Sequence, residues 1–407
     1  MITAMLLSVT AVADSAGFNR ESERVLAAKT AYDSKYTAVS WNTEKAENGG
    51  IPLTKGAYVY LPADSRVLKL NEADGSLASE LFLPTGISTE HAGVITGNTM
   101  VQPLKSGLAI INTTTMTVTD TLTFEGNTSG SCAVIDDLLY ASYEENGAET
   151  MLCVKLSDGM SVVWEYKSSG SLGDLTRYGN FVLFSEEGGR LISHSLDSDE
   201  HSVIDIGEEI CGAPFAGEYA VFLTTDDGNA IKLRLNDDGT MEEDTLAKCA
   251  VGAHPTEPLS WNDRLYVGSD TGFHILDDLN MEIMRSYDYM AGSTDPIVTL
   301  GNGSRVYLVF PENEKWSLYS IYDIDSLEEP QLSKLAILED FSNGAVCVSE
   351  NGTMYFRDAL GRLYAMTAVS YSPWSMAIRI ILVLALVICV FIWLRALRKK
   401  KNEKPQY

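Results

Sequence analysis

Lysine and arginine are scarce over most of this chain. Its 407 residues carry 30 Lys/Arg against 56 Asp/Glu, which gives a formal net charge of −26. The imbalance lies in residues 1–374, which hold 23 Lys/Arg against 55 Asp/Glu, because seven basic residues follow position 374. A body this acidic repels the phosphates of nucleic acids. Nucleic-acid binding is therefore excluded, and the charge indicates either simple solubility or a basic partner.

Motifs of metal sites and of hydrolases are also missing. The chain has no C-x-x-C, no H-E-x-x-H and no G-x-S-x-G. Its five histidines are scattered along the sequence: His91, His194, His201, His254 and His274. Three acidic turns offer oxygen ligands that would suit Ca²⁺, although Asp-Gly is equally what a tight hairpin turn requires; they span residues 196–200, 224–229 and 235–240. We expect no catalytic residues, and the hairpin reading of these turns is the simpler one.

The cysteines form no recognisable framework. Cys389 lies in an apolar C-terminal segment, and the other five are an odd number, so they cannot all pair with one another. Cys132 with Cys153, or Cys211 with Cys249, could form a disulfide, and buried free thiols fit equally well. Cys347 completes the set.

Helical periodicity is nearly absent before residue 375, with Arg20–Ala31 as the one ambiguous stretch. Instead, a pattern recurs about every forty residues. A Gly/Asn/Asp turn leads into an alternating strand, and a polar turn leads into a second one. We call the residue near the middle of the first of these strands the anchor. The eight anchors are separated by 41, 39, 43, 38, 45, 41 and 48 residues: Tyr60, Val101, Tyr140, Leu183, Val221, Tyr266, Tyr307 and Tyr355.

Most units add a further turn and strand, so that each holds four short strands. Such a repeat is typical of β-propeller blades, whereas a β-helix has a much shorter period and a sandwich would not repeat eight times. The eighth unit, residues 351–366, breaks off after two strands. Residues 35–44, which include Trp41, form an alternating strand ahead of the first unit. We predict that this strand completes the last blade.

The predicted fold is therefore all-β: an eight-bladed β-propeller over residues 30–369. It comprises seven full blades and one composite blade that the N- and C-terminal strands close together. Closing a ring in this way removes two exposed sheet edges.

The repeat resembles that of the quinoprotein-type, or PQQ-like, propeller family. The residues that carry the resemblance are "NDRLYVGSDTGFHILD" (262–277) and "NGTMYFRDALGRLYAM" (351–366). In that family a strand ending in Tyr-Val precedes Gly-x-Leu-Tyr-x-Leu-Asp, and a later strand that follows a Gly holds a Trp. Gly159 and Trp164 match that last feature, and Trp41 stands at the same place in the composite blade. The resemblance covers roughly residues 50–367, with the best match in three or four blades.

This resemblance implies two function classes. Quinoprotein dehydrogenases hold pyrroloquinoline quinone and Ca²⁺ near the propeller axis, and alcohol-oxidising members place two adjacent cysteines over the quinone. No two cysteines are adjacent in this chain, and its Trp164, Trp261 and Trp316 are spread over three blades as packing residues. We therefore expect neither the quinone nor Ca²⁺ as a cofactor. Members of the family without cofactor residues resemble scaffolds that hold bacterial envelope assembly partners together.

The C-terminal segment predicts a membrane span. Met376–Leu394 is apolar except for Arg379, and at 1.5 Å per residue it spans roughly 28 Å, close to the hydrocarbon thickness of a bilayer. We predict a transmembrane helix over residues 375–394 and a basic cytoplasmic tail over 395–407, since positive residues favour the cytoplasmic side. The predicted membrane-interface residues are Trp374, Arg379, Trp393, Arg395, Arg398, Lys399, Lys400 and Lys401.

This topology places the propeller outside the cell, so the chain needs an export signal. Residues 1–16 contain an apolar run that ends in Ala11-Val12-Ala13, which is typical of a signal cleavage site, although no Lys or Arg precedes the run. The function expected is a non-enzymatic extracytoplasmic scaffold, anchored in the cell membrane, that binds an envelope or surface protein. The alternatives are a degenerate quinoprotein or other propeller enzyme, and a ligand sensor that acts through a membrane partner.

Overall fold

The structure is a computed structural model. It describes residues 25–27, 37–43, 49–168, 170–300, 305–313, 315–322, 331–338, 347–349, 351–358, 360–368 and 390–391. The chain divides into two compact units, residues 1–367 and residues 368–407. The first unit contains eight β-sheets, which are the blades of a β-propeller.

Two strands precede the first blade and belong to later ones: β1 (Val25–Ala27) and β2 (Thr37–Asn42). Blade 1 consists of β3 (Leu53–Lys55), β4 (Tyr58–Ala63), β5 (Arg66–Asn71) and β6 (Leu77–Phe82). Blade 2 consists of β7 (Val94–Thr96), β8 (Thr99–Leu104), β9 (Gly107–Asn112) and β10 (Thr117–Thr123). Blade 3 consists of β11 (Asn127–Thr128), β12 (Ala133–Ile135), β13 (Leu138–Glu145), β14 (Ala148–Lys155) and β15 (Ser161–Lys167). Blade 4 consists of β16 (Leu172–Tyr178), β17 (Phe181–Glu186), β18 (Arg190–Ser195) and β19 (His201–Asp205).

The second half of the ring follows the same order. Blade 5 consists of β20 (Ile210–Ala216), β21 (Val221–Thr225), β22 (Asn229–Leu233) and β23 (Ala247–Ala250). Blade 6 consists of β24 (Leu259–Trp261), β25 (Arg264–Ser269), β26 (Gly272–Asp277) and β27 (Glu282–Tyr287). Blade 7 consists of β28 (Ile297–Leu300), β29 (Arg305–Glu312), β30 (Lys315–Tyr322) and β31 (Gln331–Leu338). Blade 8 adds β32 (Cys347–Val348), β33 (Met354–Arg357) and β34 (Leu363–Ala368).

Hydrophobic clusters fill the spaces between successive blades. In each central strand, successive side chains point alternately toward the preceding blade and the following blade. Both faces of the strand are therefore buried, and its sequence is apolar nearly throughout. The second strands of blades 1, 4 and 6, for example, are buried at almost every position. Seven clusters fill the eight interfaces of the ring, because one of them extends from blade 5 through blade 6 to blade 7. The interface between blades 8 and 1 has a cluster of its own. The predicted eight-bladed propeller is confirmed.

The predicted composite blade is also confirmed. Its strand order is β2-β34-β33-β32, so the N-terminal strand β2 forms the outer edge of the blade that the C-terminal strands begin. The Thr43 amide donates to the Leu363 carbonyl at 2.9 Å, and the Leu363 amide donates to the Thr43 hydroxyl, also at 2.9 Å. Since residues 43 and 363 are 320 positions apart, these bonds close the ring between its two chain ends.

Trp41 of β2 joins the composite blade to blade 1. Its indole N–H donates to the Glu72 carbonyl at 2.8 Å, and its ring lies 5.8 Å from that of Tyr355. Gly75 makes room for the indole: it has φ +68°, and a Cβ at this position would come within 2.5 Å of the ring. The buried Glu72 carboxylate also accepts hydrogen bonds from Ser349 and Asn351 of blade 8.

All eight anchors are buried and lie on the strand that follows the inner strand or strands of each blade, but one of them is out of register. Tyr60, Val101, Tyr140 and Leu183 each pack in the cluster shared with the following blade. Val221 instead packs back against blade 4. Because adjacent strand residues point to opposite faces, the correct equivalent is one residue later.

That equivalent is Phe222, which packs between blades 5 and 6. Its partner across the sheet is Lys232, as Lys69 is the partner of Tyr60. Each of these lysines donates to a carbonyl in the next blade, Lys69 to Thr113 at 2.8 Å and Lys232 to Leu279 at 2.7 Å.

The ambiguous stretch Arg20–Ala31 contains a strand. Residues Val25–Ala27 pair in parallel with Val298–Leu300 of β28 and lie on the side of β28 that faces away from β29. Blade 7 therefore has five strands, one of which comes from the N-terminal region. The sequence pattern did not distinguish this short strand from a helix.

Candidate interaction surface

Blades 4 and 5 differ from the others at their inner strands. β16 and β20 have seven residues each, whereas the inner strands of the other six blades have two to four. Both long strands pair irregularly with their neighbours, at Leu172/Leu175 and at Cys211/Phe215. A Cβ added at Gly173 would lie 3.3 Å from the Gly212 carbonyl oxygen, so the two strands approach closely there.

A cleft of about 400 Å³ opens where β16 and β20 turn into the next strand. Three segments form its walls: the turn between β16 and β17, the turn between β20 and β21, and the loop that follows β22. Their side chains are mixed, with apolar groups from Tyr178, Phe181 and Leu235 beside polar ones. The complete lining is Arg177, Tyr178, Gly179, Asn180, Phe181, Ala216, Gly217, Glu218, Leu235, Asn236 and Asp237.

The charge around this cleft is strongly negative. Residues 172–250, which span blades 4 and 5, hold five Lys/Arg against 17 Asp/Glu, and residues 191–231 contain no Lys or Arg at all. Arg177 is the one basic residue in the lining, and it bonds the Gly179 carbonyl at 3.1 Å and lies 3.5 Å from Asp136. Glu218 and Asp237 are exposed at the cleft. This arrangement favours a cationic ligand.

One acidic side chain of blade 5 is already neutralised within the protein. Glu208 accepts hydrogen bonds from Lys248 at 2.6 Å, from Thr225 at 2.6 Å and from Asn229 at 2.9 Å. These donors, Lys248 first, lower the pKa of Glu208 to about 2. Glu208 therefore stabilises the blade and is not available to a ligand.

The outer strands of the blades differ in regularity. In blades 1, 2, 3, 6 and 7 the outer strand carries a β-bulge, with an extra residue at Ala78, Thr119, Val163, Met284 and Leu335. The outer strands β19 and β23 of blades 4 and 5 pair without any bulge. A bulge twists an edge strand and interrupts its hydrogen-bonding row, which discourages a further strand from adding to it.

An aromatic cluster lies between the outer strands of blades 3 and 4. Trp164 of β15 stacks on His194 at 3.8 Å between ring centroids, and Tyr166 lies 5.2 Å from His201. Burial lowers the pKa of His194 to about 4, so this imidazole is neutral at physiological pH. The Tyr166 hydroxyl donates a hydrogen bond to the Glu186 carboxylate at 2.8 Å. Burial and this carboxylate raise the pKa of Tyr166 to about 12. Their spacing in the sequence did not reveal that His194 of β18 and His201 of β19 are directly opposite each other on adjacent strands.

The acidic turns identified in the sequence connect strands and are held by local hydrogen bonds. Residues 226–228 form the hairpin turn between β21 and β22, where the Gly228 amide bonds the Thr225 carbonyl. In the loop at 235–240 the Asp238 carboxylate accepts from the Thr240 amide at 3.0 Å. Within the described part of the chain, no three His, Cys, Asp or Glu side chains form a group that could hold a metal ion.

All five cysteines outside the predicted span are free thiols. Cys132, Cys153 and Cys347 are buried, whereas Cys211 and Cys249 are partly accessible. Burial, together with Asp226 at 2.9 Å, raises the pKa of the Cys211 thiol to about 12, so it is a poor nucleophile.

The predicted membrane-interface residues lie outside the described residues, as does the predicted signal segment, residues 1–16. The described part of the predicted span is Val390 and Phe391, which are helical. Among the residues that the structure describes, no helix is long and apolar enough to cross a membrane. The transmembrane helix, with its interface residues Trp374, Arg379, Trp393, Arg395, Arg398, Lys399, Lys400 and Lys401, stays a prediction.

No protein-family model and no curated protein matches this sequence. Solved structures match its fold. The computationally designed Ika8 protein aligns with a TM-score of 0.60 and 12% identity, over 83% of this chain and 99% of that chain. Dihydro-heme d1 dehydrogenase NirN aligns with a TM-score of 0.53 and 11% identity, over 76% of this chain and 75% of its own. BamB from Moraxella catarrhalis aligns with a TM-score of 0.48 and 12% identity, over 85% of this chain and 91% of its own.

The likeness to Ika8 and NirN shows the β-propeller fold. At such low identity it shows nothing about activity, because one fold supports many unrelated functions. The dehydrogenase activity of NirN is thus a property of that protein. The quinoprotein-like character of the repeat stays a prediction from the residues quoted above.

Proposed function

We propose that this protein is a non-enzymatic scaffold whose propeller binds a cationic segment of an envelope or surface protein outside the cell. The observation that carries the proposal is the acidic cleft of blades 4 and 5. Exposed Glu218 and Asp237 line this cleft together with the apolar groups of Tyr178 and Phe181. Charge complementarity of this kind steers an oppositely charged partner and selects against acidic ones.

The proposal includes a membrane anchor. The apolar segment 375–394 would cross the membrane once, and the basic tail 395–407 would lie in the cytoplasm, where its lysines meet anionic lipid. Residues 1–16 would direct export. The propeller would thereby be held close to the membrane surface, where its partner resides.

The proposal also assigns no cofactor to the propeller. The support is chemical: the sequence lacks the adjacent cysteine pair that alcohol-oxidising quinoproteins place over the quinone. A preparation of the full-length chain, supplied with pyrroloquinoline quinone and Ca²⁺, should reduce no redox dye with alcohols or sugars. Turnover above that of the quinone alone would favour the enzyme alternative.

The experiment places a photo-crosslinker in the cleft on intact cells. Asn180 lines the cleft and lies in the turn "GN" of blade 4, and Asn98 is exposed in the same "GN" turn of blade 2. In a background with Cys211 and Cys249 changed to Ser, Asn180→Cys and Asn98→Cys are labelled with a membrane-impermeant maleimide that carries a photoreactive group. Both sites should react from outside the cell, and only the Asn180 site should give a discrete protein adduct.

Two outcomes would contradict the proposal. Labelling of both cysteines only after the cells are permeabilised would show that the propeller is not outside. Labelling without an adduct at Asn180, or with the same adducts at Asn98, would show that the cleft of blades 4 and 5 is not the partner site.

A further inference from the structure

We infer that β19, the outer strand of blade 4, is the edge to which an extended cationic segment of the partner adds as a further antiparallel strand. The inference rests on the proposed function, which it deepens by naming the form of the partner and the edge that receives it. Strand addition of this kind uses main-chain hydrogen bonds for affinity and alternate side chains for specificity.

β19 offers a regular row of outward hydrogen-bonding groups. It pairs with β18 without a break from Arg190/Asp205 to His194/His201. The Ser195 amide bonds the Glu200 carbonyl at one end, and the Ile206 amide bonds the Gly189 carbonyl at the other. Bonded and non-bonded pairs alternate in an antiparallel ladder, so the groups of His201, Val203 and Asp205 point outward. These three residues present the amides and carbonyls that an added strand needs.

The other outer strands with a described register are less suitable. Five of them carry a bulge, which interrupts the row at the second residue of the strand in blade 1 and at the third to fifth residue in the others. β23 of blade 5 is regular but has only four residues, against five in β19, and the carboxylate of Glu208 beside it is already paired with Lys248. β19 is therefore the regular edge that combines length with a negative surrounding.

The side chains of β19 suit an alternating partner. Val203 is 51% exposed on the face that looks toward blade 3, next to the ring of His201. The partly buried ring of Tyr166 of blade 3 lies 5.2 Å from the ring of His201 and adds a second aromatic group beside it. On the opposite face Ile204 is buried against blade 5. An added strand would thus place every second side chain, preferably aliphatic, on Val203 and the two rings.

The charges at both ends of β19 select for cationic residues in the partner. Asp197, Asp199 and Glu200 precede the strand. Asp205 is its last residue, and Glu208 and Glu209 follow it. No Lys or Arg lies between Arg190 and Lys232. Glu208 is paired with Lys248 and Asp197 accepts from Asn180 at 2.7 Å, whereas the side chains of Asp199 and Glu200 are exposed. A lysine at each end of a short strand would meet these carboxylates.

The test measures binding of a fluorescein-labelled peptide, Lys-Val-Thr-Val-Thr-Val-Lys with blocked ends, to the detergent-solubilised full-length chain by anisotropy. Val203→Pro removes an outward amide and leaves the bonds to β18 intact, as proline does on an edge strand. Thr121→Pro is the matched control, because Thr121 of the bulged β10 holds the equivalent outward position, three pairs before the bond from the Phe124 amide to the Ser106 carbonyl. Its outward amide bonds the neighbouring Asp120 carboxylate at 2.8 Å. We expect Val203→Pro to weaken binding at least tenfold and Thr121→Pro to change it less than twofold.

A second variant keeps the backbone unchanged. Replacing exposed Asp199 and Glu200 by Lys should weaken the binding of the basic peptide at least tenfold. The same variant should bind a matched peptide with Glu at both ends more tightly than wild type does. Circular dichroism and the thermal transition of each variant confirm that it is folded. The inference is overturned if the wild-type chain does not bind the basic peptide, if Val203→Pro binds it normally, or if Thr121→Pro weakens it equally. If one of these results is found together with an adduct from the Asn180 site, the proposed scaffold function is retained and strand addition at β19 is rejected.

Discussion

At the scale of the residue, Trp41 joins the composite blade to blade 1. Its ring is 8% exposed and packs on Tyr355 and over Gly75, while its N–H bonds the Glu72 carbonyl. Trp41→Ala should lower the free energy of unfolding by about 3–5 kcal/mol, since it leaves a large cavity at the interface where the ring closes. Urea titration of the full-length chain measures this loss.

The control for this substitution lies on the same strand. Val39 is half exposed, so Val39→Ala should change the free energy of unfolding by no more than about 0.5 kcal/mol. Equal effects at the two positions would contradict the role given to Trp41.

The packing position of Trp41 could be predicted from the sequence, whereas that of Phe222 could not. Trp41 was predictable because it stands in an alternating strand at a place where a repeat lacked one. Phe222 was not, because "YAVF" offers two adjacent buried residues with no local sign of which one faces blade 6. The lysine across the sheet would have resolved this, as Lys232 stands opposite Phe222 in the way that Lys69 stands opposite Tyr60.

At the scale of the element, strand β2 closes the ring. Deleting residues 30–48 removes the outer strand of blade 8 and the indole that packs on blade 1. The chain should then lose its single cooperative unfolding transition in urea, because the cluster between blades 8 and 1 loses one wall. A synthetic peptide of residues 35–44 added in trans should restore cooperativity. An unchanged transition after the deletion would refute closure by β2.

Strand existence was predictable, but strand irregularity was not. Alternating patterns and turn residues specify where a strand lies, because burial of one face fixes its register. Nothing local distinguishes the bulged β15 from the regular β19, since a bulge depends on how a strand pairs with its neighbour. The cleft has the same origin: it lies where the long inner strands β16 and β20 end, and the irregular pairing of these strands has no local sign in the sequence. One signal was available, namely the absence of Lys and Arg across residues 191–231.

At the scale of the whole molecule, the acidic charge is unevenly distributed. A uniform excess of carboxylates would serve solubility alone, whereas blades 4 and 5 combine 17 acidic residues with a cleft and two regular edges. These features occur together on neighbouring blades, which is why the proposed partner site is placed there. The proposed partner site thus occupies two of the eight blades of an acidic ring.

The most direct test reverses the charge of the cleft. In the variant Glu218→Lys/Asp237→Lys the two exposed acids that line the cleft become basic, and in the control Asp120→Lys/Glu125→Lys two exposed acids of blade 2 and the loop after it change equally. Each tagged full-length chain is crosslinked in its native membrane, and the partner recovered with it is quantified. We predict that the cleft variant recovers at least tenfold less partner than wild type while the control recovers the same amount. Equal recovery by both variants would contradict the proposal that blades 4 and 5 hold the partner.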